Sequence, residues 1–354
     1  MPVRVVVAMS GGVDSSVAAA LLQEQGYDVI GMMLRVWSEP GKEASNHCCT
    51  PESMAAARRV AARLGIPFYA VDAQSEFKDI VVDYFINGYA KGITPNPCLE
   101  CNRHIRFSYL LDRAMNIGAD FLATGHYARR AITDEGTYKL MRAVDPRKDQ
   151  SYVLHVLNQD QLARSLFPVG EYTKTEIRDF AKKLDVHIAD RPDSQDLCFL
   201  AGEDYRTFLT RNAPEMIASG PIINERGEEI GTHRGLAYYT IGQRKGLGVT
   251  SPHPQYVIDK QLSNNTLVVG PSDSLGRDTL VAIDVHWISG TRPSYEFRAQ
   301  VKTRYSSRMS WASVIPLDDN KVQIDFDDQI RDITPGQAAV FYDNDDCIGG
   351  GIIT

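Results

Sequence analysis

Several familiar signatures are missing from this 354-residue chain, and each absence narrows the reading. No Gly-x-x-x-x-Gly-Lys-Ser/Thr run is present, which excludes a Walker A phosphate loop. No Gly-x-Gly-x-x-Gly follows the first strand, which argues against a dinucleotide site. No stretch approaches the roughly 20 apolar residues that a membrane span needs, so no membrane association is expected. The first residues lead straight into a strand pattern rather than a signal peptide, and the expected location is cytoplasmic. Excess positive charge is lacking too: the net charge is −7, so any contact with nucleic acid must come from a local patch. Cysteine is scarce, with six residues in all. In a large intracellular chain these read as catalytic, metal-binding or buried thiols rather than a disulfide framework. Internal repeats and low-complexity tracts are absent as well.

What is there begins at the N-terminus. Val3, Val5, Val6 and Val7 read as a buried strand, and Val13, Val17, Ala18, Leu21 and Leu22 recur at helical spacing. Between them stands Ser10-Gly11-Gly12-Val13-Asp14-Ser15-Ser16. Glycines let the backbone approach a ligand, and the first N–H groups of the helix point at an anion. Ser10, Ser15 and Ser16 bring three hydroxyls to that turn. The bland alternative is a glycine turn joining a strand to a helix.

At this length one core does not suffice, and two or three domains are expected. Residues 1–127 alternate strand and helix, the pattern of a doubly wound parallel α/β sheet with ligands beyond the strand carboxyl ends, where Gly11, Leu34 and Gly125 converge. Strands are expected at 28–34, 67–71 and 119–124, and helices at 51–64, 74–91, 101–116, 158–166 and 173–184. Residues 127–142 read as a hairpin turning at Asp134-Glu135-Gly136. After Pro214 short alternating runs dominate, at 255–260, 266–270, 299–303, 311–316, 322–326 and 338–342, which suggests small β domains or barrels. The expected units are a catalytic domain over 1–204, a small central β-rich domain over 205–279 and a C-terminal β-barrel over 280–354. Basic residues concentrate in two places. Arg292, Arg298, Lys302, Arg304 and Arg308 face one acid, Glu296, and residues 232–251 hold Arg234, Arg244 and Lys245 with none. Such a run reads either as a phosphate-contacting patch or as a solvated strand face.

Two cysteine segments carry further chemistry. Asn96-Pro97-Cys98-Leu99-Glu100-Cys101 places a thiol at a helix start, where the dipole, with Arg103 and Arg106, favours a thiolate. Cys198 lies in the irregular run 193–200. Two thiols in flexible segments beside an anion-binding turn suggest sulfur transfer, one carrying a persulfide and the other resolving it.

Ser-Gly-Gly-x-Asp-Ser resembles the PP-loop of ATP pyrophosphatases, which split ATP between the α and β phosphates. Taken with Asn96-Pro97, Cys101-Asn102, Arg106-Phe107, 123–129, Lys148-Asp149-Gln150-Ser151-Tyr152, 194–199, 239–246 and 334–337, the chain resembles the tRNA-specific 2-thiouridylase family over nearly its whole length. That resemblance implies an ATP pyrophosphatase domain, a small central domain and a C-terminal barrel. It implies adenylation and thiolation at C2 of the wobble uridine, with ATP and Mg2+ required. By the same resemblance Ala8, Met9, Ser10, Gly11, Gly12, Val13, Asp14, Ser15, Leu34 and Gly125 bind ATP. Cys198 matches the persulfide carrier and Cys101 the catalytic thiol. His126, Lys148, Asp149, Gln150, Arg304, Tyr305 and Gln337 match tRNA contacts. The implied partners are the anticodon region of tRNA, whose target base must flip out of the stack, and a protein sulfur donor.

This chain departs from the family at one position, having Cys98 where many members carry an aspartate. Cys98, Cys101 and Cys198 make three thiols, enough for a 4Fe–4S cluster with one open iron, so a persulfide relay and cluster-assisted transfer both stay open. A zinc site on Cys98 and Cys101 with His47, Cys48 and Cys49 is a minor alternative. Competing functions are an adenylating ligase on the same nucleotide fold, which needs no paired cysteines, and an RNA- or cluster-binding protein with a vestigial ATP loop.

Overall fold

A computed structural model describes residues 2–42, 50–184, 197–318, 320–331 and 333–354. His47, Cys48 and Cys49 of the zinc alternative, and residues 193–196 of the Cys198 motif, lie outside them.

The N-terminal sheet is built from β1 (Arg4–Ala8), β2 (Asp28–Arg35), β3 (Phe68–Asp72), β4 (Phe121–Thr124) and, later in the chain, a short strand at Ser165–Leu166. All pairings are parallel, in the order β3-β2-β1-β4 followed by Ser165–Leu166. β1 is buried on both faces. Val6 joins one apolar cluster with Met32, Phe107 and Leu122, while Val5 and Val7 join another with Val17, Leu21 and Val60. This is the two-residue alternation of a strand covered by helices on both sides. The chain runs outward from β1 to β2 and β3, then returns to β4 on the other side. That reversal opens a crevice at the carboxyl ends of β1 and β4.

The helices are α1 (Val13–Glu24), α2 (Pro51–Leu64), α3 (Gln74–Phe77), α4 (Asp83–Ala90), α5 (Pro97–Glu100), α6 (Leu111–Asn116), α7 (Ser151–Leu154), α8 (Gln159–Ala163), α9 (Lys174–Lys183) and α10 (Tyr205–Asn212). Wide π turns link α3 to α4 (Lys78–Val82) and α5 to α6 (Cys101–Leu110), so 74–90 and 97–116 are each one continuous helical run. The expected helix over 158–166 stops early. Ser165 and Leu166 leave it to pair with Leu122 and Ala123 at the sheet edge. Among the described residues no helix is long and apolar enough to cross a membrane.

Two further strands, β5 (Ala128–Ile132) and β6 (Tyr138–Arg142), form the expected hairpin, with Gly136 at φ +85° in its turn. Its destination was not legible in the sequence: β6 pairs with the last strand of the chain. Counting Ser165–Leu166 as β7, the central domain follows as β8 (Gly220–Ile223), β9 (Glu229–His233), β10 (Tyr256–Gln261) and β11 (Thr266–Gly270). These form one sheet in the order β10-β11-β8-β9. The remaining strands are β12 (Arg277–Trp287), β13 (Phe297–Lys302), β14 (Ser310–Leu317), β15 (Lys321–Ile330), β16 (Ala338–Asp343) and β17 (Asp346–Ile353). They run antiparallel in the order β12-β15-β14-β13-β16-β17, and β12–β17 pairing closes a six-stranded barrel. Its interior holds Trp287, Val301, Val314, Ile324 and Phe341.

β17 escapes sequence patterning because Gly349, Gly350 and Gly351 interrupt it. The reason is close approach: a Cβ at Gly349 would lie 2.2 Å from the His286 carbonyl, and one at Gly350 2.8 Å from the His155 ring. His155, with Nδ1 2.7 Å from the Tyr152 carbonyl, is thus wedged between the catalytic domain and the barrel. Burial pulls its pKa down to about 3. Burial lowers His286 as well. Below the ordinary histidine value near 6.5 the unfolded chain takes up protons that these folded side chains refuse. Their contribution is therefore complete above that pH and is lost as pH falls towards the folded values. The expected slope of unfolding free energy below pH 6.5 is up to about 1.4 kcal/mol per pH unit for each such histidine. His155→Gln is expected to remove one proton from that slope in denaturant melts taken between pH 6.5 and 4.

Candidate active site

The crevice is lined by the turn between β1 and α1. Gly12 is the cap residue of α1 and has no side chain to offer, so the first-turn N–H groups face the crevice. Serine hydroxyls shape the loop. The Ser15 hydroxyl accepts from Ser10 N at 3.2 Å and lies 3.4 Å from the Ser10 hydroxyl. Ser16 donates to the Gly12 carbonyl at 2.8 Å. Gly11 holds φ +75°, and a Cβ there would sit 2.3 Å from the Ser53 carbonyl in the first turn of α2. A second helix start thus abuts the loop, capped by Thr50, which accepts from Ser53 N at 2.9 Å. Gly125, just beyond β4, passes so close that a Cβ would be 2.6 Å from Ser15 N. Ala8 to Ser15 and Gly125 are therefore neighbours at this turn, with Met9, Gly11, Val13 and Ser15 buried and Ser10 exposed. Leu34, near the end of β2, lies at the edge of the same crevice.

Sequence reasoning missed two members of this site. Lys174, the first residue of α9, donates to both Asp14 oxygens, at 2.7 and 2.9 Å. The Tyr127 hydroxyl donates to Asp14 Oδ1 at 2.8 Å. Thr173-x-x-Glu176 is a legible capping box that starts α9 there, but nothing local tells that Lys174 points at a carboxylate 160 residues upstream. Lys174 is only 8% exposed, and Asp14 is the carboxylate it forks onto. Asp14→Ala is expected to destabilise the fold by about 1–3 kcal/mol. Asp14→Ala/Lys174→Met should regain part of that loss in denaturant melts, because it replaces the covered ammonium by an apolar side chain.

Beside the loop, His126 is buried. Its Nε2 lies 3.0 Å from Arg106 Nη1 and its Nδ1 2.8 Å from the Thr124 hydroxyl. Burial, then the Arg106 charge, holds its pKa well below the usual histidine range, so it is a neutral ring at neutral pH. Gln150 brackets Tyr127, accepting from Tyr127 N at 2.9 Å and donating its own N–H to the Tyr127 carbonyl at 2.7 Å. Asp149 is 3% exposed and accepts from Ala143 N and from the backbone and hydroxyl of Ser151. It holds the turn that presents the half-buried Lys148.

Barrel residues complete this edge. Arg304 reaches the Ile241 carbonyl of the central domain at 3.2 Å, and also the Thr334 hydroxyl. Gln337 donates to the Thr94 carbonyl at 2.8 Å, and Thr94 N donates to the Pro335 carbonyl. Tyr305 is 44% exposed, with the Lys302 ammonium 5.5 Å from its ring. Its hydroxyl pKa is raised by desolvation, then by the charges of Asp149 and Cys98. The three domains thus meet around the segment that leads into α5.

The structure also places both distant cysteines at one apolar cluster. Cys101 is buried in an apolar cluster with Phe77, Phe85, Ile105, Phe199 and Phe208, and Cys198 packs against the same cluster. Leu34 packs there too, linking the cluster to the nucleotide crevice. Phe199 is the anchor next to Cys198, with ring centroids 5.2 Å from Phe85 and 5.5 Å from Phe208. The short turn Cys198–Leu200 ends in Ala201 and Gly202, both at positive φ. Arg211 then forks onto Glu39 at 2.8 and 2.7 Å and reaches Glu203 at 2.6 Å. That brace ties the chain after β2 to the chain after Cys198. Among the described residues no group of three His, Cys, Asp or Glu side chains is gathered closely enough to hold a metal ion. Among the described residues Cys98, Cys101 and Cys198 form no such group.

Comparison with known proteins settles the family. Residues 3–202 match the tRNA methyl transferase HUP domain model, 206–271 its PRC-barrel domain and 277–353 an aminomethyltransferase β-barrel domain. A tRNA-specific 2-thiouridylase of Symbiobacterium thermophilum is 47% identical over 357 residues, covering 99% of this chain and 92% of that protein. One from Chloroflexus aggregans is 48% identical over 352 residues, covering 99% and 98%. The chain belongs to the tRNA-specific 2-thiouridylase family. Among solved structures, a 4-thiouridine synthetase bound to RNA and ATP aligns at a TM-score of 0.37 and 16% identity, over 60% of this chain and 50% of that one. In this 2-thiouridylase family member, the loop after β1 and the thiol cluster occupy one edge of the N-terminal sheet.

Proposed function

We propose that this chain is an ATP-dependent tRNA sulfurtransferase that converts the wobble uridine to 2-thiouridine. The observation that carries this reading is the meeting of Cys101 and Cys198 in one apolar cluster that shares Leu34 with the nucleotide crevice. The domain model's label speaks of methyl transfer, but moving a methyl group calls for neither an uncapped helix start beside paired serines nor two converging thiols. The relatives' names agree with thiolation.

In this reading the loop from Ala8 to Ser15 and Gly125 receive the triphosphate, with Mg2+ carried in on its oxygens. The uridine O2 attacks the α phosphorus and pyrophosphate leaves. The oxygen, a poor leaving group as it stands, becomes part of AMP. The terminal sulfur of a Cys198 persulfide attacks C2 and AMP departs. The Cys101 thiolate then attacks Cys198 Sγ, the S–S bond to the transferred sulfur breaks, and the products are 2-thiouridine and a Cys101–Cys198 disulfide. An external dithiol restores both thiols, and a protein donor reloads Cys198.

The unit over 1–204 does this chemistry, while those over 205–279 and 280–354 hold the tRNA. Lys148, Arg304, Tyr305 and Gln337 contact it at the three-domain junction. Asp149 and Gln150 set the turn that carries Lys148, and His126 positions Arg106 beneath the flipped base. Pyrophosphate release tests the first half. It should require both ATP and unmodified tRNA, and release that is indifferent to tRNA would count against the reading.

A further inference from the structure

The two thiols that close the cycle differ in access. Cys101 is 9% exposed and belongs to the apolar cluster with Phe77, Phe85 and Phe199, while Cys198 is half-buried against it. Thiol–disulfide exchange needs the attacking sulfur to reach a target sulfur, so access limits it. A protein dithiol meets a buried sulfur at Cys101 and a partly covered one at Cys198.

Cys98 differs from both. It is exposed, and it lies one turn before Cys101 on the same helical run. Residues three apart on a helix are neighbours, with Cβ atoms about 5–6 Å apart, while a disulfide needs about 3.5–4.5 Å. The pair lies in the first turn of that run, with Glu100 and Cys101 both in ordinary helical geometry, so closing the bond requires the first turn to tighten. The Asn96 side chain accepts from Cys98 N at 3.2 Å and fixes the start of that helix.

We propose that Cys98 is an exchange thiol that moves the disulfide from the buried cluster to the protein surface. This rests on the sulfurtransferase reading above. After thiolation, the Cys98 thiolate attacks Cys101 Sγ. The Cys98–Cys101 bond forms, the Cys101–Cys198 bond breaks, and Cys198 leaves as a thiolate that takes up the proton Cys98 gave. No net oxidation occurs. Cys198 is then ready to accept the next persulfide while an external dithiol protein reduces Cys98–Cys101 from solvent, transferring two electrons and two protons. The departure at Cys98 thus supplies turnover chemistry.

Persulfide-loaded full-length protein is given ATP, magnesium and unmodified tRNA without reductant, quenched with an alkylating agent, and its disulfides are mapped by mass spectrometry. Wild type is expected to yield 2-thiouridine, a Cys98–Cys101 disulfide and an alkylated Cys198. Cys98→Ser is expected to stop at Cys101–Cys198, and its steady-state rate with thioredoxin as reductant to fall at least about tenfold. A Cys101–Cys198 disulfide persisting in wild type, or an undiminished steady-state rate in Cys98→Ser, overturns the exchange and leaves the sulfurtransferase reading standing. No 2-thiouridine from wild type in this first turnover overturns that reading and the exchange with it.

Discussion

Cys198→Ala is expected to abolish formation of 2-thiouridine, by at least about a thousandfold, while tRNA-dependent pyrophosphate release continues. The persulfide has no other carrier in this arrangement. Cys198 is the thiol that packs at the edge of the cluster holding Cys101, and Phe199 locks the backbone beside it between Phe85 and Phe208. Cys101→Ala should fail at a later point. Sulfur reaches C2, but the bond to Cys198 persists, and a covalent protein–tRNA adduct accumulates. Because the two thiols act as a unit, the double variant should be little worse than either single one. Mass spectrometry of nucleosides and a denaturing gel for the adduct separate the two cases. An adenylating ligase on the same fold would be indifferent to both substitutions.

Gly125→Ala is expected to cost about a hundredfold in ATP-dependent turnover, since an ångström of displacement in a reacting site has effects of that size. The added Cβ meets Ser15 N at 2.6 Å and Asp14 C at 2.8 Å. Both are backbone atoms of the first turn of α1, so no side chain can swing aside. Either β4 or the start of α1 must shift, and the N–H groups aimed at the phosphates move with it. Overpacking of this kind also destabilises by about 1–3 kcal/mol. Gly136→Ala is the control. That glycine has positive φ but nothing within 4 Å, so only backbone strain of about 1 kcal/mol is expected, with turnover unchanged. Nucleotide affinity and thermal melts of both variants check this.

The strand–turn–helix unit at the N-terminus was legible because it is local: two glycines, three serines and a helix start fall within Ser10–Ser16, directly after β1. The parallel sheet was legible for the same reason, since β1, β2 and β4 are runs of apolar residues between turn signals. What escaped depends on contacts across distance. The Lys174–Asp14 pair joins residues 160 apart. The β5–β6 hairpin looks complete in itself, yet it extends the barrel of the far terminus through Asp346↔Met141 and Cys347↔Leu140. β17 reads as a loop because its glycines serve close strand and ring contacts rather than patterning. Asp149, a tRNA contact by resemblance, is buried by the fold as a turn anchor. In the basic run, Arg298 is already forked onto Asp327 at 2.8 and 2.5 Å, a pairing across strands that the sequence does not show.

The most direct measurement supplies the protein with unmodified tRNA, ATP, magnesium and a persulfide donor labelled with heavy sulfur, then analyses the digested tRNA by mass spectrometry. The account predicts 2-thiouridine at the wobble position carrying the heavy isotope, in an amount that tracks AMP and pyrophosphate one for one. Uridine left unmodified by folded protein with an active donor, or a methylated base in its place, would contradict it.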